Sequence, residues 1–267
     1  MKRANHYRLE FGLIAAVMLI MVLGFWDIYF GIGADAQPHH HLHITVVFIW
    51  IGLLLTQLTL MARGDRRLHR KVGLAVLVTA PLLVATTAML SVYSAHKGVV
   101  SGEGDFLIIQ NVMVTLEVGL LIFLAFLLKN RRKLHASLLL STTILFMGIA
   151  LFFAMISFVP LFKIEGPETF YRFQTAGITG QVVCLAVGLL FFIRDRRNGW
   201  PFLVAAACFP LNDAIRAMLT SVGLIDPLTE FVGAMSQPLS FVATFGLMFS
   251  LLAVTALPTM RQTRAAL

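Results

Sequence analysis

Charged residues are scarce in this chain: Asp, Glu, Lys and Arg make up 13% of its 267 residues, against roughly 25% in a soluble domain. That shortage excludes an ordinary water-soluble fold. Long polar stretches are missing too. No segment between the apolar runs is large enough to fold alone, so residues 1–267 read as a single integral membrane domain. Cysteine is nearly absent, and Cys184 and Cys208 both fall inside apolar runs without CxxC or Cys/His spacing. Neither a thiolate metal site nor a disulfide is indicated, and the two read as small apolar residues. The chain contains no GxxxxGK[ST] and no GxSxG, so ATP hydrolysis and serine-hydrolase chemistry have no motif to carry them. The net charge of +8 comes from short basic clusters between apolar runs rather than from one basic face. No nucleic-acid partner is expected, and the partner that remains is the lipid bilayer.

Apolar side chains make up 58% of the chain. A bilayer core about 30 Å thick needs roughly 20 consecutive apolar residues per helical crossing. The runs predict an all-α bundle of about eight transmembrane helices near 11–31, 40–62, 70–95, 105–128, 135–159, 170–193, 199–220 and 236–258. The seventh contains Pro210, Asn212, Asp213 and Arg216, so a broken or re-entrant helix is among the expectations for it. The first run has no small-residue cleavage site and continues into Trp26, Asp27 and Tyr29, which predicts a retained helix rather than a signal peptide.

Of the 21 basic residues, 17 fall on one side of this arrangement: Lys2, Arg3 and Arg8, then Arg63 to Lys71, Lys129 to Lys133, Arg194 to Arg197, and Arg261 with Arg264. Cytoplasmic loops are enriched in Lys and Arg, so both termini are placed in the cytoplasm and the protein in a bacterial inner membrane. Asp65-Arg-Arg-Leu-His69 and Arg131-Arg-Lys-Leu-His135 each put a Leu-His pair after a basic cluster. That pattern admits a duplicated two-helix unit or two independent basic loops.

Four of the eight histidines stand in His39-His40-His41-Leu-His43. Helical spacing puts His39 and His43 on one face, where two imidazoles four apart can direct nitrogens to a single ion. His96 and Asp27 fall at a similar depth, so His39, His43, His96 and Asp27 form a candidate divalent-metal set. The competing reading is an interfacial belt, to which Trp26, Tyr29 and Tyr93 also belong. On the cytoplasmic side, His69 and His135 begin helices among Arg and Lys, whose positive field disfavours the imidazolium form. Glu117 falls near the bilayer midplane, where a carboxylate is costly unless it pairs, faces the bundle interior or takes up a proton. Asp213 and Arg216, three apart, are expected to pair. With Asn212, Gln174, Gln181, Gln110 and Asn111 they make the polar inventory lopsided toward the outer half. A cavity open to the periplasm and floored by Glu117 and Gln181 is one reading of that inventory; hydrogen bonds that hold the bundle together are the other.

The run from Gly24-Phe-Trp-Asp-Ile-Tyr-Phe30 through His41-Leu-His43, Trp50 and Gln57 to Leu68-His-Arg-Lys-Val-Gly73 resembles an uncharacterised group of bacterial multi-pass membrane proteins. The resemblance covers the first five helices and implies a helical membrane fold with no assigned activity. The chain is more loosely similar to b-type transmembrane haem proteins, a similarity that implies His43 and His96 outside and His69 and His135 inside as ligands of haem b. The function expected first is therefore a histidine-liganded metal or haem binding, redox-type membrane protein. The alternatives are a small-molecule carrier or sensor using Glu117, Asp213 and Arg216, and a non-catalytic accessory membrane protein.

Overall fold

The computed structural model describes residues 7–264, with side chains through Thr255. Lys2 and Arg3, and the side chains of Arg261 and Arg264, lie outside the described residues. The chain is 83% helical, and no strand occurs among the described residues. In order, the helices are α1 (Arg8–Gly24), a π-helical segment (Trp26–Phe30), α2 (Pro38–Arg63), α3 (Arg66–Gly73), α4 (Val76–Ser101), α5 (Ile108–Leu127), α6 (Arg132–Phe158), a 3-10 turn (Pro167–Thr169), α7 (Tyr171–Arg194), α8 (Trp200–Ser221), α9 (Ile225–Gly233) and α10 (Gln237–Arg264). Seven helices, α2, α4, α5, α6, α7, α8 and α10, are long and apolar enough to cross a membrane. α1 is shorter, with 17 residues, and the π-helical segment carries its direction on to Gly31. Large apolar side chains face outward along these helices; Leu239, Val242, Leu247 and Val254 on α10 are each at least 64% exposed. Such a surface is stable against lipid and not against water, and the chain is a multi-pass helical membrane protein.

Local chemistry sets the helix boundaries. Pro38 opens α2, whose last turn ends at Gly64 in a left-handed conformation, φ 80°, which glycine adopts without a Cβ clash. The backbone N–H of Gln37 donates to Nδ1 of His40 at 3.0 Å, so one histidine of the cluster is a helix cap. Asp65 caps α3 by accepting the Leu68 N–H at 2.9 Å. The expected helix over 70–95 is thus two elements, a short basic α3 and a spanning α4 that reaches Ser101. The two Leu-His elements differ accordingly: His69 lies within α3, whereas His135 lies in the first turn of the spanning α6. α8 is continuous through Pro210. It stays packed because α7 and α6 offer glycines where it approaches: a Cβ on Gly188 would meet the Phe202 carbonyl at 2.7 Å, and Gly148 receives the Phe209 ring. The segment expected as the loop before the last span contains α9.

The core runs between α1, α2, α4, α5 and α6, with Trp50, Ile51, Leu83, Val118, Ile122, Leu138 and Ile144 all fully buried. Trp50 Nε1–H donates to Thr142 Oγ1 at 3.1 Å, tying α2 to α6 where an unmade bond would be expensive. Gly24 packs against the Ala150 carbonyl, a small-residue contact that brings α1 close to α6.

Side-chain contacts define two ends. At the basic end, Arg194 bonds Glu10 at 3.0 Å, Lys133 approaches Asp195 at 3.8 Å, and Lys129 donates to the Thr255 carbonyl. At the opposite end, here called the mouth, Tyr29 bonds Nδ1 of His41 at 2.8 Å and His96 Nδ1–H donates to the Gly233 carbonyl at 3.2 Å.

Candidate functional site

A cavity of about 720 Å³ occupies the mouth half, between α2, α4, α5, α6, α7, α8 and the π-helical segment. Its walls follow from helical spacing. α5 supplies Gln110, Asn111 and Val114, and α7 supplies Gln174, Gly177, Ile178 and Gln181, sets that recur every three to four residues and so lie on one face. α8 supplies Phe209, Asp213 and Arg216 in the same way.

One wall is aromatic. Phe25 packs on Phe153 with centroids 5.8 Å apart, Phe153 on Phe152 at 5.2 Å, Phe152 on Phe173 at 4.7 Å, and Phe173 edge-on to Phe106 at 4.4 Å. The Arg216 guanidinium ends this arc, 4.6 Å from the Phe106 ring centroid, a cation–π contact.

Asp213 is held from two sides. Gln110 Nε2–H donates to Oδ1 at 2.9 Å, and Gln181 Nε2–H donates to Oδ2. The expected Asp213–Arg216 pair therefore does not form. The carboxylate turns toward the amides of α5 and α7, while the guanidinium, one turn further along α8, turns toward Phe106. Lys97 and Arg216 both line the cavity, and neither has an acidic partner among the described residues. Gln110 Oε1 is buried without a hydrogen-bond partner.

Gln181 lines the cavity as expected, but Glu117 does not reach its surface. Val114, one turn earlier, is the deepest lining residue of α5. Glu117 is 9% exposed and lies against Cys208 and Asn212 of α8, with Oε1 unpartnered.

The histidines are distributed rather than gathered. His39 packs on Tyr93 at 4.0 Å between centroids, and its Nε2 is buried without a partner. His43 lines the cavity, with Nδ1 3.2 Å from Thr86 Oγ1. Because the Thr86 hydroxyl donates to the Leu83 carbonyl at 3.0 Å, its oxygen is free to accept from Nδ1–H, which leaves Nε2 of His43 as an acceptor. His96 is tied to α9 by its bond to Gly233, and Asp27 is exposed on the π-helical segment. At the basic end, His135 Nδ1–H donates to the Ala125 carbonyl at 2.8 Å. His69 Nδ1 is buried without a hydrogen-bond partner, and burial holds the His69 pKa below the ordinary 6.5 against the opposing influence of the Gln57 backbone. The depressed pKa expected of His69 is present, with burial rather than the neighbouring basic residues as its cause. Among the described residues no group of three or more His, Cys, Asp or Glu is placed to hold a metal ion; His39, His43, His96 and Asp27 each serve a different local contact or surface.

Sequence reading found Gln110, Gln181, Asp213 and Arg216 but missed Lys97 and the phenylalanine arc. The available signal was the abundance of phenylalanine, 22 residues, together with Gly148, where the Phe209 ring packs.

Compared with known protein families, curated proteins and solved structures, the chain matches none at a significant level.

Proposed function

We propose that this protein is an eight-crossing inner-membrane protein of a bacterium, both termini cytoplasmic, whose mouth-half cavity opens to the periplasm and binds a small amphipathic organic anion as a carrier or sensor. α1 extended by Trp26–Phe30 supplies the eighth crossing, and the concentration of Lys and Arg at the basic end supplies the orientation. The cavity volume of about 720 Å³ lies within the usual range for small-molecule sites, roughly 300–1,000 Å³.

One observation carries the ligand class: Arg216 and Lys97 line a cavity with an aromatic wall and have no acidic partners among the described residues, while the carboxylate there, Asp213, is already engaged by two amides. The arrangement leaves positive charge for the anionic end of a ligand and a phenylalanine wall for its apolar body. Metal or haem binding would instead need imidazoles converging on one point, and those here are bonded apart.

The test uses purified protein in lipid nanodiscs with 4-phenylbutyrate as probe and 4-phenylbutan-1-ol as its neutral analogue. Phenylbutyrate is expected to bind more tightly than the alcohol. Arg216→Ala should weaken phenylbutyrate by roughly tenfold or more, the effect of losing a charged hydrogen-bond partner, and leave the alcohol nearly unchanged. Equal binding of acid and alcohol, or no effect of Arg216→Ala, overturns the anion assignment.

A further inference from the structure

Behind the cavity, the contact between α5 and α8 buries a carboxyl group that the ligand reading does not use. Glu117 is 9% exposed and Asn212, beside it, is 2% exposed. Both present an oxygen, Glu117 Oε1 and Asn212 Oδ1, that is buried without a hydrogen-bond partner. Two unpaired acceptors side by side in a membrane interior are costly, and an ionised carboxylate there is costlier.

The surroundings supply no compensating cation. Of the helices packed against α5, α4 carries His96 and Lys97 at its mouth end, and α6 carries Arg132, Lys133 and His135 at its basic end. α8 carries Asp213 and Arg216, which are directed into the cavity, and α9 carries Asp226 and Glu230 at the mouth. α10 has no charged residue before Arg261. Cys208 is the titratable group that lies against Glu117.

A single proton resolves the conflict. A carboxylic acid and a primary amide are complementary: the acid O–H donates to the amide oxygen while the amide N–H donates to the acid carbonyl, and both orphaned oxygens are satisfied. We propose that Glu117 and Asn212 form an intramembrane proton-binding site. When the proton leaves, the carboxylate that remains accepts from the Asn212 amide and the Cys208 thiol, the two donors already beside it.

The site is joined to the cavity by covalent and helical continuity. Gln110 and Glu117 stand seven apart, two turns on one face of α5, and Asn212 directly precedes the Asp213 that Gln110 holds. In this proposal the proton exchanges with the cavity along the seam where α5 meets α8. Resting on the carrier reading, this makes a proton the second cargo of the organic anion.

Infrared spectroscopy of the protein in lipid at neutral pH tests the site directly. The carbonyl stretch of a protonated carboxyl group is expected in the wild type and lost in Glu117→Gln, whose amide still pairs with Asn212. Asn212→Leu should shift the band without removing it. A wild-type spectrum with no such band, or a band unchanged in Glu117→Gln, overturns the proposal. Coupling is read from phenylbutyrate affinity, expected to change about tenfold per pH unit across the titration of Glu117 and to be flat in Glu117→Gln; a slope equal in both overturns the coupling. A protein that shows the band but binds no phenylbutyrate overturns the cavity reading and leaves the proton site standing, whereas a missing band overturns the proton site whatever the ligand does.

Discussion

The two ends of the bundle differ in what meets their charged side chains. At the basic end the charged groups are paired, Glu10 with Arg194, Asp195 with Asn198 and Lys133, Asp65 with the Leu68 N–H, and His135 bonds the Ala125 carbonyl, while the buried atoms without a partner there are Glu10 Oε2, His69 Nδ1 and the side-chain amide of Gln57. In the mouth half, groups remain available: Arg216 rests on a ring, Lys97 has no acidic partner among the described residues, and Gln110 Oε1 and His39 Nε2 are buried with none. Free polar atoms within a membrane protein are expensive unless something meets them. Residue type therefore says little about function, and the state of each group's hydrogen bonds says much more.

The comparison breaks most sharply at Asp213. Replacing both amide donors, in Gln110→Leu/Gln181→Leu, leaves a half-buried carboxylate without a partner. Thermal unfolding in detergent should show a loss of about 1–3 kcal/mol, the penalty for an unmet buried acceptor and larger for a charged one. Adding Asp213→Asn to that background should restore part of the loss by removing the charge. If the double variant is as stable as wild type, Asp213 is not held as described.

The largest basic-end counterpart should be smaller. The Arg194–Glu10 pair is partly exposed, with side chains 31% and 18% accessible, so solvent screens it and its coupling should be on the order of 0.2–1 kcal/mol. A double-mutant cycle with Arg194→Ala and Glu10→Ala isolates that coupling from Arg194's other contacts. A coupling above that of the Asp213 network would reverse the ranking of the two ends.

Much of the fold was legible because apolar run length is a direct consequence of bilayer thickness. Seven of the expected spans correspond to helices of sufficient length and apolarity. What escaped was local: α3 and α9 are short helices at the ends, with too few residues to show an apolar period. The polar half of the cavity was legible as a lopsided inventory, since amides and charges in an apolar chain stand out. Its aromatic half was not, because a phenylalanine lining a cavity and one facing lipid look the same in sequence. Pairing was misread at Asp213 and Arg216, where proximity on one helix suggested an ion pair and donors from two other helices decided otherwise. The direction of Glu117 was not legible, because helical rotation depends on the neighbours that α8 brings.

The smallest effect expected is the pH dependence of the basic end, and its sign separates two groups. His69 has a pKa held below 6.5, first by burial, with the Gln57 carbonyl opposing. Below 6.5 the unfolded chain therefore takes up a proton that the folded His69 resists. Its contribution to stability is complete above 6.5 and declines as pH falls beneath it. Asp195 is held below the ordinary 3.8, chiefly by the Asn198 side chain. Its contribution is complete above 3.8 and is lost only as pH falls through its depressed folded value. Between about pH 7 and pH 5 His69 therefore contributes to the slope and Asp195 does not, and the His69 contribution should amount to no more than a few degrees in melting temperature. Melting of the wild type should fall over that interval, His69→Gln should reduce the fall, and Asp195→Asn should leave it unchanged. A fall of the same size in His69→Gln would place the titrating group elsewhere.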